Sequence, residues 1–239
     1  MSKFIQAVSI IVALTALVSG CGGGGSAGGP VAVTPVTAAT FSLQSGYKAR
    51  IASGSTASFT ISGTCAGSAQ IVNGKPAGGA NFEGATALAE TSTSTVLMTN
   101  CTPASTTATS VEYFDSNYTP LGHNAVGDEY GVFLSAPAAL PTAAKSGDTG
   151  TYGTETIYTD SSKKTLKGQR TLSYVIEPDG TSTSTVIANL ITRDFNTANQ
   201  LLYTEQSRFR MGADGTLTPL SIDVQYSTTS STHLIFTAR

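Results

Sequence analysis

The 239-residue sequence predicts an all-β protein on three grounds. Threonine alone contributes 37 residues and Trp none, a composition that favours extended chain over helix. Apolar and polar side chains alternate in short runs: Phe59 and Ile61, then Leu172, Tyr174 and Ile176, then Ile222, Val224 and Tyr226. Turn-forming pairs and triplets separate these runs, among them Asn73-Gly74, Asp115-Ser116-Asn117, Pro178-Asp179-Gly180 and Asp214-Gly215. With 13 basic against 15 acidic residues, the chain lacks the positive field that nucleic-acid binding requires.

Residues 1–20 have the layout of an export signal. Lys3 gives a positive start, and residues 4–18 form an apolar run too short for a comfortable membrane span. Val18, Ser19, Gly20 and Cys21 then resemble, position by position, the cleavage box of bacterial lipoproteins. That resemblance implies cleavage before Cys21, diacylglycerol on its thiol and a further acyl chain on its freed amine. Two or three chains give stable anchoring where one is marginal. Residues 21–38, with Gly22 to Gly25, Pro30 and Pro35, read as a flexible tether. In such lipoproteins Asp after the cysteine means retention in the inner membrane. Position 22 is glycine, which implies the outer membrane, on a face the sequence leaves open.

Cys65 and Cys101 remain as two thiols in an oxidising compartment, and a disulfide is the expected pairing. Around them, strands are predicted at 58–62, 69–72, 86–90, 95–99 and 110–114, with a return at 118–121. Short strands stapled in this way resemble a small immunoglobulin-like sandwich, expected over 39–135. Residues 136–150, with Pro137 and Pro141, read as a connector. Strands at 152–159, 167–177, 184–194, 201–211, 217–226 and 232–238, joined by short turns, predict an antiparallel meander over 151–239. Such a sheet can remain curved or close partly into a barrel.

Chemistry is sparse. No nucleophile elbow, phosphate loop, dinucleotide fingerprint or metal-binding pair appears, so neither a cofactor nor a metal is expected. Asp148-Thr149-Gly150 lacks the partner triplet of an aspartic protease. The expected surface site is loose: His123 with Asp128 and Glu129 after a hairpin, and Arg193, Arg208 and Arg210 on neighbouring strands. Lys163, Lys164, Lys167 and Arg170 extend the basic side chains along another hairpin.

Ser62 to Cys65, Thr99 to Pro103 and Ser173 to Pro178 resemble lipoproteins of Gram-negative envelopes, of the kind encoded by β-proteobacteria, to which no function is assigned. The expected role is a non-enzymatic one, structural, adhesive or protein-binding, with an envelope protein as partner and the oligomeric state open. The alternative is a carrier for a small apolar or lipid ligand, which needs an enclosed cavity of some hundreds of Å³. An envelope hydrolase built on His123 or on a carboxylate pair is the least favoured. If Cys21 is the anchor, Cys21→Ser should move the protein from the membrane fraction to the soluble periplasmic fraction, and the mass of the unaltered protein should start at an acylated Cys21.

Overall fold

The computed structural model describes residues 39–227 and 232–239. The expected signal, the tether and Cys21 lie outside the described residues. Among the described residues one helix, α1 (Leu43–Ser53), precedes thirteen strands. These are β1 (Ser55–Gly63), β2 (Gly67–Asn73), β3 (Ala77–Phe82), β4 (Ala85–Met98), β5 (Ser105–Phe114), β6 (Pro120–Ala125) and β7 (Glu129–Phe133). They continue as β8 (Thr149–Tyr158), β9 (Leu166–Pro178), β10 (Thr185–Asn196), β11 (Leu201–Gly212), β12 (Leu217–Tyr226) and β13 (His233–Ala238).

All the strands belong to one antiparallel sheet that closes on itself. β1 pairs with β13, placing Ile61 opposite Phe236, and β2 pairs with β4, placing Asn73 opposite Ser92. Twelve strands thus form a barrel. β3 is the extra strand, pairing with the first part of β4 along the edge that β2 occupies farther on. Phe82, where β3 ends, stacks on Tyr113 and tilts against Tyr130, making a small apolar cluster on the outer face.

This topology corrects the expected sandwich followed by a meander. β7 pairs with β8 across the supposed domain boundary, Tyr130 opposite Tyr158, so 39–135 and 151–239 are parts of one barrel. Residues 136–150 are not a simple connector either. Leu140 and Ala144 are buried in the core, and Ala144 exchanges two 2.8 Å backbone hydrogen bonds with Phe41. Prolines at 137 and 141 deter a helix, but they do not prevent a segment from being packed. The Cys65–Cys101 disulfide forms, with Cα atoms 5.8 Å apart. It joins the β1–β2 turn to the β4–β5 turn and so clasps the β2–β4 pairing at its end.

The interior holds two apolar clusters. One gathers Leu172, Ile176, Leu190, Phe209 and Met211 around the start of α1, where Phe41 and Leu43 are buried. The other packs Phe59, Ile61, Ile71, Val224, Leu234 and Phe236. α1 was not predicted, because its apolar positions form no stripe of helical period. Local signals start and stop it instead. Ser42 Oγ accepts from the Ser45 N–H at 3.2 Å, and Gly54 ends the helix in the left-handed region.

The helix seats through Gly46, where a Cβ would lie 2.1 Å from the Gly215 carbonyl oxygen. Ala is ordinarily the better helix former, by about 1 kcal/mol. Gly46→Ala should nevertheless give a net destabilisation of about 1–3 kcal/mol in urea unfolding, because the clash is with backbone. Gly180→Ala, which meets nothing within 4 Å, should stay within about 0.5 kcal/mol of the unaltered protein.

Candidate functional site in the barrel lumen

Alternation along each strand decides which side chains enter the lumen. His123 on β6 points inward, and its partner across the strands is Gly131 on β7. A Cβ at 131 would lie 2.3 Å from the imidazole ring, so the bare backbone there makes room for His123. Glu129 on β7, Glu155 on β8, Arg170 on β9, Asp194 on β10 and Tyr203 on β11 complete an arc over six consecutive strands. All six residues are buried, with His123 and Glu155 at 0% exposure and Arg170 at 1%.

The arc is held by charge. His123 lies 3.1 Å from Glu129 through Nε2 and 3.1 Å from Glu155 through Nδ1. Arg170 donates from Nη2 to Glu129 at 2.6 Å, to Tyr203 at 3.3 Å and to Asp194 at 3.5 Å. Lys167 reaches Asp128 at 2.6 Å and Glu129 at 3.0 Å. Burial works against charge on His123, but the carboxylates of Glu155, Glu129 and Glu112 overcome it and push its pKa up to about 10. Glu129 is also opposed by burial, yet Arg170, His123 and Lys167 hold it well below the usual carboxylate range. With both ring nitrogens donating, the 3.3 Å approach of Arg170 Nη1 to His123 Nε2 is a contact between two cations, and Glu129 bridges them.

Other acids in the lumen have weaker compensation. Burial pushes Glu90 up to about 7, and Glu112 and Glu205 each to about 8. Glu90 and Glu112 face each other across β4 and β5. They line, with Glu155, Tyr47, Arg50 and Phe209, a cavity of about 40 Å³ beneath α1. A second hollow of about 100 Å³ lies nearer the start of the helix, between Lys48, Tyr118, Leu140 and Tyr152, with exposed Ala138 and Ala139 at its rim. Tyr47 lines both spaces and packs edge-on against Tyr152. Several lumen atoms have no hydrogen-bond partner among the described residues: Glu155 Oε2, Arg170 Nε and Thr192 Oγ1. Glu155 Oε2 has only Arg170 Nη1 nearby, at 3.8 Å.

The expected surface site is therefore corrected. His123 and Glu129 do meet, but inside the barrel, while Asp128 pairs with Lys167. An imidazolium clamped between two carboxylates offers no lone pair to accept a proton, so His123 is not built as a general base. Arg208 and Arg210 point outward and are paired individually, Arg208 with Glu177 at 3.4 Å and Arg210 with Asp179 at 2.7 Å. Arg193 lies farther along β10, opposite Thr204, so the three arginines do not converge. The residues missed were Glu90, Glu112, Glu155 and Arg170 as lumen groups. Arg170 was legible: it shares the parity of Leu172 and Ile176, which defines the inward face of β9.

No family model matches the chain, and no curated protein matches it. Among solved structures, a LolA superfamily protein from Nitrosomonas europaea is similar at 12% identity over 83% of this chain and 91% of that one, with a TM-score of 0.28. A likeness at that score carries no argument about this barrel's function.

The raised acids and His123 act in the same direction on stability. Each holds its proton more tightly in the folded barrel than in the unfolded chain, so its contribution is present in full below the unfolded pKa. It is lost as pH rises through the folded value. The melting temperature should fall as pH rises from about 4.5 to about 10. Glu112→Gln should flatten that fall, raising the melting temperature at pH 9 and leaving it nearly unchanged at pH 4.

Proposed function

We propose that the protein is an outer-membrane lipoprotein, anchored through Cys21, whose barrel lumen binds a small ligand. This is the carrier or binding reading, in preference to a structural or adhesive role for the outer surface. One observation carries it: a cavity inside a closed barrel, walled by buried Glu90, Glu112 and Glu155. Buried polar groups are ordinarily paired, because desolvating them without a partner costs about 1–3 kcal/mol each. A set of acids around one space, with one Glu155 oxygen lacking a hydrogen-bond partner, suits a compartment that receives a polar guest.

Size sets the guest's class. With α1 in place, about 40 Å³ admits a molecule of a few heavy atoms. An acyl chain needs the volume that α1, Leu43 and Phe41 occupy, so a lipid would enter by displacing the helix. The outer hollow and Tyr47 provide a route for a small guest that leaves the barrel closed.

Methyl NMR of the full protein, titrated with small polar metabolites and with short-chain lipids, tests this reading. A small polar ligand should shift the methyls of Ile51 and Leu190 saturably and leave those of Ile61 and Leu234 in the other cluster unmoved. A lipid ligand should instead shift Leu43 and release α1. If no ligand in either set moves these methyls, while cross-linking in cells captures an envelope protein on the outer face, the binding reading is wrong and the surface role takes its place.

A further inference from the structure

We infer that the lumen cavity is a site for a small organic ammonium cation, with Glu112 and Glu155 as its counter-charges. The inference rests on the binding reading above and names its ligand class.

Two features argue for a cation, the three acids and the state of Glu155, against one fixed cation, Arg50. Glu90, Glu112 and Glu155 reach the cavity from β4, β5 and β8, three separate parts of the barrel, and all are buried. Arg50 is the cation at the wall, contributed by α1, and its guanidinium lies 5.1 Å from the centre of the Phe209 ring. Glu155 supplies the independent sign of a guest. It is wholly buried, one oxygen is taken by His123, and the other has no hydrogen-bond partner, its nearest donor being Arg170 Nη1 at 3.8 Å. A donor in the cavity would satisfy it.

The choice of ammonium over a metal follows from placement. No three His, Cys, Asp or Glu residues among the described residues are gathered closely enough to hold a metal ion. The remaining wall is aromatic and aliphatic, from Tyr47, Phe114, Phe209 and Leu190. An alkylammonium presents N–H donors to the carboxylates and a short apolar body to these rings, which also favour cations over their faces.

Binding should be coupled to proton release. The groups facing Glu112 are Glu90 on β4, His123 on β6, Glu155 on β8, Arg170 on β9 and Tyr47 on α1. Burial is the largest influence on Glu112 and keeps it protonated at neutral pH. An ammonium placed beside it stabilises the carboxylate, so Glu112 gives its proton to solvent as the cation enters.

Calorimetric titration of the full protein in mild detergent at pH 7, with ethylammonium, 1-propanol and propionate as probes of similar size, tests this. Ethylammonium should bind with a Kd of about 1 mM or weaker, as three heavy atoms allow. It should release close to one proton, read from the dependence of the heat on buffer ionisation. Glu112→Gln should weaken binding at least tenfold and cut the proton release to the part that Glu90 supplies, whereas Arg50→Gln, which removes a competing cation, should tighten it. Circular dichroism establishes that each variant is folded. Binding of propanol or propionate without ethylammonium would overturn the ammonium assignment and leave the compartment reading standing. Absence of binding by all three, with the lumen methyls unmoved by every metabolite, would overturn both.

Discussion

Closure is the constraint on which this molecule depends. Once β1 pairs with β13 and β2 with β4, twelve strands enclose an interior wider than facing side chains alone fill, since about eight strands suffice for a side-chain core. The chain answers with three kinds of filling. An apolar cluster occupies one region, a second cluster forms around α1, and an arc of charged residues lies along β6 to β11. The helix is needed because the sheet cannot fill that end by itself. Its residues face Tyr152, Phe209 and Leu217, and the 136–150 segment closes over its start.

The charges are bound by the same geometry. Buried ions are tolerable only when paired and hydrogen-bonded. His123, Arg170, Glu129 and Glu155 meet that condition because adjacent strands bring them to one level of the barrel. Glu90, Glu112 and Glu205 meet it less well and keep their protons instead. The lumen is thus divided between ion pairs that tie strands together and acids whose charge awaits a partner. The binding reading draws on Glu90 and Glu112 from the second group and on Glu155 from the first, and the stability of the barrel rests on the first.

Much of the fold was legible from alternation. All six strands predicted over 151–239 correspond to β8–β13, because four of the five connections contain Asp, Asn or Gly at short spacing and the runs keep a period of two. Before residue 140 the signal fails in specific places. β4 runs unbroken through Thr91 to Thr95, where a low-complexity stretch reads as a gap between two strands, yet Ser92 and Ser94 face the interior. β7 was missed since it is five residues long, Glu129-Tyr130-Gly131-Val132-Phe133, too short to set up a clear apolar alternation. Its inward positions carry an acid and a glycine that serves His123. His123 itself resembled a loop residue because Gly122 and Asn124 flank it, and only strand pairing reveals that it points inward. Domain division failed for a related reason: composition changes near residue 140, but hydrogen bonding between β7 and β8 does not.

The pairing of β1 with β13 also places the two ends of the barrel's chain side by side. A ribosome delivers residues 55–63 well before 233–238, so the edge of β1 that will receive β13 stays open until the last residues emerge. The other edge is better protected early: β2 covers it, β4 follows within a few dozen residues, and the 65–101 bond can secure that group by itself. Contacts of such long sequence separation fold slowly. An exposed strand edge in the meantime is a template for pairing with another chain. The β1 edge is thus the one left open longest while the chain is made, and a factor that shields it would have a single strand to recognise.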